Sequence, residues 1–271
     1  MTAATDSELV IDDVSGFAHD HAYRRQYQLD HFNIPFRKAT PSERLEPFAR
    51  VRRYLKRRVN RLFPFRRRSY IQQEGMDFDA RLLGVKPQGT LYLEGYWQGE
   101  GYFKDIEPVL REELRIKPPS DPMNQEMSSR IRTCIAVAVH VRFFDMPDER
   151  GVTNAPEDYY ARAVARMEEL APGAHYFVFS DQPDSARPCI PLSDDRITCV
   201  SLNRGDERAY ADLWLMAQCQ HFIIANSTFS WWGAWLATSP TKQVIAPGYK
   251  KLEGKAWWGF DGLLPQRWIK L

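Results

Sequence analysis

Three short polar segments, each directly after an apolar run, carry side chains able to do chemistry. His140-Val141-Arg142 closes the run Cys134 to Val141 (CIAVAVHV). Ser180-Asp181 follows HYFVF, and Asn226-Ser227-Thr228-Phe229-Ser230 follows HFIIA. Alternation along a strand puts His140 and Arg142 on one side, where both can reach one ligand. A guanidinium at that place suits a phosphate, through bidentate charge-assisted bonds. The hydroxyl-rich run 226–230 leads into a helix, whose free N–H groups and dipole favour an anion. Together the segments describe a nucleoside-diphosphate site, with Arg142 and the helix start for the phosphates and acids for ribose or base. Each segment also has a plainer reading: a core histidine, an ordinary strand-ending turn at Ser180-Asp181, and a serine N-cap.

These residues need strands and helices to hold them, and the second half of the chain supplies the pattern. CIAVAVHV is nearly continuous in apolar β-formers, as a strand covered on both faces would be. His175 to Phe179, Ile197 to Ser201, His221 to Ala225 and Gln243 to Ala246 predict four more strands. Helical periodicity falls between them, over Glu157–Leu170, Glu207–Cys219 and Phe229–Leu236. Alternating β and α at these spacings predicts an α/β fold with a doubly wound parallel sheet, whose ligands bind at the carboxyl ends of strands. The first half is irregular, with short strands predicted at Leu9–Asp12 and Thr90–Glu94 and a helix over Phe103–Leu114. Pro118 to Ser129 (PPSDPMNQEMSS) is polar and Pro-bearing, and predicts a linker.

Composition excludes several classes. The 271 residues are 44% hydrophobic and 27% charged, enough apolar matter for a core and unlike a disordered chain. The four cysteines lie far apart with no CxxC pair, which argues against a zinc site or a disulfide scaffold and fits a reducing compartment. The longest stretch free of Asp, Glu, Lys and Arg, Leu213–Thr241, holds Gln, His, Asn, Ser and Thr throughout, so no membrane span is predicted. There is no GxxxxGK[ST], GxGxxG, HExxH or GxSxG. A nucleoside-diphosphate sheet without those motifs points to sugar-nucleotide glycosyltransferases. Asp77-Phe78-Asp79 has the letters of a metal-binding Asp-x-Asp but follows no strong strand, so a metal-independent enzyme is expected.

The net charge of +2 hides an asymmetry. Arg50 to Arg68 carries ten Lys or Arg and no acid, leaving 27 basic residues against 35 acidic elsewhere. Val51, Leu55, Val59 and Leu62 recur at steps of three and four, a helical apolar stripe, until Pro64 stops the helix. A basic amphipathic helix predicts contact with an anionic membrane surface or an anionic polymer. The plainer alternative seats the stripe on the body of the protein. No nucleic-acid motif accompanies it, so no nucleic-acid partner is expected.

Asp212 to Leu236, DLWLMAQCQHFIIANSTFSWWGAWL, resembles the signature of the family 11 glycosyltransferases, the galactoside α-1,2-fucosyltransferases. YQLDHFNI (27–34), EGYWQGEGYF (94–103), His140–Asp145, Phe179-Ser180-Asp181 and Ala246-Pro247 resemble further family segments in order. The resemblance implies a GT-B-like fold of two Rossmann-like domains. Residues 1–125 would be the acceptor-side domain, incomplete and carrying the basic helix near 50–63, and residues 126–271 the GDP-sugar-binding domain. It also implies GDP-β-L-fucose as donor, no cofactor, and inversion to an α-linked product on a galactose-containing glycan, lipid-linked or free. Arg142 would hold the β-phosphate, His140 and Asp212 the guanine, and Ser227, Thr228 and Ser230 the diphosphate, with Ser180, Asp181 and Asn226 beside them. Asp145 and then Glu94 are the expected candidates for the base. Trp231, Trp232 and Trp235 are expected in the core.

Two departures stand out. Phe143 and Phe144 replace the second Arg and the Gly of the family's His-x-Arg-Arg-Gly-Asp, removing one positive charge near the donor. The family's opening strand, its Gly-rich turn and the helix after it are not seen before Leu9. Three expectations therefore remain: an active fucosyltransferase, a related transferase with another acceptor, or a non-catalytic GDP-sugar-binding remnant. The expected place is the cytoplasm, peripheral to the inner face of the membrane.

Overall fold

The apolar run at the centre of the second half does become a strand, Ala136–Val141, with all six residues buried. The computed structural model of the protein describes residues 7–18, 20, 25–75, 77–143, 155, 158–248, 251–252, 255–256 and 262–271. The chain forms two units, Met1–Leu114 with Phe260–Pro265, and Arg115–Gly259 with Gln266–Leu271.

The second unit is built on one six-stranded sheet. In chain order the strands of the protein are β1 (Val10–Ile11), β2 (Arg37–Lys38), β3 (Tyr70–Gln72), β4 (Tyr92–Glu94), β5 (Ala136–Val141), β6 (His175–Ser180), β7 (Ile197–Val200), β8 (His221–Ile223), β9 (Val244–Ala246), β10 (Lys251–Leu252), β11 (Lys255–Ala256) and β12 (Ile269–Lys270). The sheet order is β12-β9-β8-β5-β6-β7, and every pair is parallel. Counted from β5, this is the 3-2-1-4-5-6 order of a dinucleotide-binding sheet. The chain reverses direction across the sheet between β5 and β8, and their carboxyl ends frame the crevice where such sheets bind ligands.

Helices accompany the strands in both units. Among those described are α1 (Ala49–Asn60), α2 (Glu107–Glu113), α3 (Pro122–Arg132), α4 (Tyr159–Leu170), α5 (Pro183–Ala186), α6 (Ala209–Ala217) and α7 (Thr228–Leu236). Tyr159, Tyr160, Ala163, Val164 and Met167 of α4 pack on Val137, Val139 and Val141 of β5. The Tyr159 hydroxyl donates to the carbonyls of Ile224 (2.8 Å) and Ile245 (3.1 Å), tying α4 to the ends of β8 and β9.

The segment expected to be a linker is a helix. Asp121 caps α3 by accepting the Asn124 N–H at 3.0 Å, and Pro122 occupies the first turn. Asn124, Met127, Ser128 and Ile131 are buried, so the helix belongs to the packed body of the second unit. Polar composition misled because its apolar residues are few but correctly spaced. The unit boundary falls after Leu114, ahead of the expected 125. Helix α2 begins only at Glu107, a 3-10 turn at Lys104–Ile106 replacing the start expected at Phe103.

The first unit holds two separate two-stranded parallel pairs, β1 with β2 and β3 with β4. The chain is α/β, with the parallel sheet in the second unit and the two short parallel pairs in the first. Among the described residues no helix is long and apolar enough to cross a membrane.

Helices α6 and α7 pack through a glycine. A Cβ added at Gly233 would meet the Met216 side chain, with Cγ at 2.9 Å and Sδ nearer still. Met216 is buried. Gly233→Ala is expected to lower stability by about 1–3 kcal/mol through overpacking, despite a helix-propensity gain of about 1 kcal/mol. A thermal midpoint equal to or above the parent's would contradict this packing.

Candidate active site at the carboxyl rim of the sheet

Register fixes where the predicted residues lie. Val139 of β5 pairs with Ile223 of β8. Because the pair is parallel, the residues that follow, His140 to Arg142 and Ile224 to Asn226, leave at the same end of the sheet. The His140 ring lies 5.6 Å from the Phe229 ring, which brings the start of α7 against the end of β5. Arg142, His140 and the 226–229 segment therefore share one rim.

The two sides of β5 diverge there. Val137, Val139, Val141 and Phe143 point into the core beneath α4, whereas His140 faces α7. Phe143 is 1% exposed. The position where the resemblance led us to expect a second arginine is here a core position.

Arg142 is held from behind. Its Nη1 lies 3.1 Å from Oδ2 of Asp181, and Oδ1 of Asp181 accepts the Phe143 N–H at 3.0 Å. Asp181 thus grips both the guanidinium and the backbone beside it, and orients Arg142. Ser180 closes the turn by accepting the Gln182 N–H at 3.0 Å. The guanidinium stays about one-third exposed and keeps donors for an anion.

At the start of α7, Ser227 is an extended N-cap residue whose Oγ accepts the Phe229 N–H at 3.3 Å. Thr228 is exposed and Asn226 half-buried. Ser230 is not on the rim: it is fully buried and donates to the Ser227 carbonyl at 3.3 Å. A hydroxyl three residues into a helix turns back on its own first turn, which the sequence run does not reveal.

His140 is buried, and its Nδ1 has no hydrogen-bond partner among the described residues. Burial first, then the charge of Arg142, pulls its pKa down to about 3. It is a neutral ring at pH 7, suited to a hydrogen bond rather than to neutralising a phosphate.

Asp212 sits in the first turn of α6 and accepts from Asn203 Nδ2 at 2.8 Å. Asn203 and Asn124 exchange two amide bonds of 2.9 Å, and Asp121 links Asn124 to Arg208. Asn203 follows β7, two strands from β5, a separation of roughly 10 Å at the usual strand spacing. Sequence reasoning missed Asn124 and Asn203. The Asp121-Pro122 cap pair, with Met123, Met127 and Ile131 four apart, was the available signal for the helix that brings Asn124 there.

Burial pushes the Asp212 carboxyl up to about 7, against the opposing pull of Asn203 and Arg208. The folded protein holds that proton more tightly than the unfolded chain, where aspartate titrates near 3.9. Stability from this group is full below about pH 4 and is lost as pH rises through about 7. At about 1.4 kcal/mol per tenfold change in ionisation constant, the loss is a few kcal/mol. Asp212→Asn keeps an acceptor for Asn203 and removes the titration. Its stability relative to the parent, by urea unfolding at pH 5 and pH 8, is expected to be higher at pH 8. Parallel pH dependences would refute the shift.

Only one of the two expected bases is among the described residues. Asp145 lies outside the described residues. Glu94, in the first unit, accepts from the Tyr70 hydroxyl and lies 3.6 Å from Arg57. In the Asp77-Phe78-Asp79 segment, Asp79 is bound to Arg81, Oδ1 to Nε at 2.8 Å and Oδ2 to Nη2 at 2.7 Å. Among the described residues, no three His, Cys, Asp or Glu side chains cluster as metal ligands.

The model of "Glycosyl transferase family 11" matches residues 34–256. The chain belongs to glycosyl transferase family 11. Within this family it is 30% identical over 193 residues to an alpha-1,2-colitosyltransferase of Escherichia coli, covering 68% of this chain and 63% of that protein. It is 38% identical over 92 residues to the O-antigen biosynthesis glycosyltransferase WbnK of Escherichia coli, covering 34% of this chain and 30% of that protein. The chain thus spans less than two thirds of the length of these relatives. Among solved structures it is similar to POFUT1 in complex with GDP, at 14% identity and a TM-score of 0.35, covering 59% of this chain and 56% of that one. A likeness that low carries nothing about the family 11 site.

Proposed function

We propose that this family 11 chain transfers L-fucose from GDP-β-L-fucose to a galactoside hydroxyl, giving an α-1,2 linkage with inversion and without a metal. The observation that carries the reading is Arg142, braced by Asp181 at the point where the sheet reverses, beside the amino-terminal turn of α7. The acceptor hydroxyl attacks the anomeric carbon from the face opposite GDP. The new C–O bond forms as the bond to the diphosphate oxygen breaks, and its electron pair leaves with GDP. Arg142 and the N–H of Thr228 in the first turn of α7 stabilise the charge that develops there. The proton goes to a carboxylate, for which Asp145 and Glu94 are the candidates. His140 and Asp212 offer hydrogen bonds to the guanine at the two ends of the rim. The name of the colitosyl relative makes a colitosyl donor the natural competitor in the assay.

One observation favours a second reading. Phe143 is committed to the core where the family has a cation, so the site grips a diphosphate with one guanidinium fewer. That supports a GDP-sugar-binding remnant without turnover. Calorimetry with GDP and GDP-fucose, paired with a transfer assay on galactosides, separates the two. Binding with transfer supports the enzyme, binding without transfer supports the remnant, and no binding of either nucleotide overturns both.

A further inference from the structure

The basic helix is built with its polarity reversed. At about 100° per residue, Val51, Leu55 and Val59 line one side of α1, and Arg53, Lys56 and Asn60 the opposite side. The polar side faces the protein. Arg53 Nη2 reaches Asp12 at 2.7 Å and Ser15 at 2.6 Å, and Lys56 lies over the Tyr92 ring at 4.9 Å. The Asn60 side chain accepts the N–H groups of Ser69 (2.7 Å) and Tyr70 (3.0 Å). The apolar side faces outward. Val51, Leu55 and Val59 are each more than half exposed, Phe48 is 76% exposed and Leu62 84%. The stripe is therefore not the seat of the helix on the body of the protein.

Large exposed apolar patches are rare on soluble proteins and mark surfaces that meet something. Charge identifies what this one meets. Of the ten cations from Arg50 to Arg68, only Arg53 and Arg57 are ion-paired with a carboxylate; the other eight have no such partner among the described residues. Arg52 and Arg58 border the stripe on its two sides and are exposed, as are Arg50 and Arg61. A nucleic acid would engage the guanidinium groups and leave five apolar side chains in water. An anionic bilayer takes both, the apolar stripe at the headgroup–acyl boundary and the arginines among the phosphates.

We infer that α1, with Phe48 and Leu62 at its ends, is a membrane-surface docking element that lies in the interface of an anionic bilayer. This does not depend on which sugar is transferred. The test is flotation of the full chain with vesicles of phosphatidylcholine alone and of phosphatidylcholine with an equal part of phosphatidylglycerol. At moderate salt the expected partitioning is at least tenfold stronger into the anionic vesicles. Two variants separate the contributions: Leu55→Ser with Leu62→Ser, and Arg50→Gln with Arg58→Gln and Arg61→Gln. All five side chains are exposed, so circular dichroism, thermal midpoint and GDP binding should match the parent. Each variant is expected to lose at least tenfold in partitioning. The inference is overturned if the parent ignores anionic vesicles or binds neutral ones equally well. It is also overturned if the serine variant floats like the parent, which would make the surface a simple polycation for nucleic acid or another polyanion.

Discussion

Arg142→Ala is expected to leave the protein folded and to cut transfer from GDP-fucose by a factor of about 10²–10³. The side chain is about one-third exposed, and Asp181 keeps the Phe143 N–H after its removal, so stability changes little. The catalytic loss is large because the next residue, Phe143, is buried in the core and supplies no second guanidinium. The effect should fall mainly on kcat if Arg142 grips the diphosphate as charge develops, and on KM if it holds GDP equally in ground and transition states. Arg142→Lys should recover only part of the rate, since a point charge lacks the fork that binds two phosphate oxygens. Steady-state kinetics of GDP release measure all three proteins. Transfer by the alanine variant at the parental rate would remove the diphosphate site from this rim.

Trp235→Ala is expected to act in the opposite way, through the fold. Trp235 is fully buried in α7, its ring parallel to that of Trp231 at 6.4 Å and edge-on to Trp232 at 5.6 Å. Emptying such a site costs about 3–5 kcal/mol, a large share of a typical total stability of about 5–15 kcal/mol. Because α7 also carries Ser227 and Thr228 at its start, GDP binding should fall together with the thermal midpoint. Urea unfolding and calorimetry on the same preparation check the coupling. A variant with the parental midpoint would show that the tryptophans are not the packed centre of this helix.

Much of the second unit was legible in the sequence because burial on both faces of a strand, or one face of a helix, leaves a local periodic trace. CIAVAVHV, HYFVF and HFIIA announce strands buried on both faces, and the polar residues after them mark the rim where Arg142 and Asn226 stand. The family signature 212–236 added what periodicity does not contain, the kind of ligand such a rim holds. Helix α3 was hidden because its few apolar residues lie among polar ones and prolines. β12 was hidden because two residues carry no period.

Sequence alone determined the α/β class, the strand ends that carry Arg142 and the helix start, and the concentration of positive charge between Arg50 and Arg68. Tertiary structure decided the strand order that puts β5 beside β8, the turning of Asp181 toward Arg142, the burial of Ser230 and Phe143, and the outward face of α1. The reason is physical. A periodic pattern states that a segment has two unlike faces, but which face meets the protein and which meets the surroundings depends on partners distant in the chain. Asp12, Tyr92, Ser69 and Tyr70 settle that for α1 by taking its polar side.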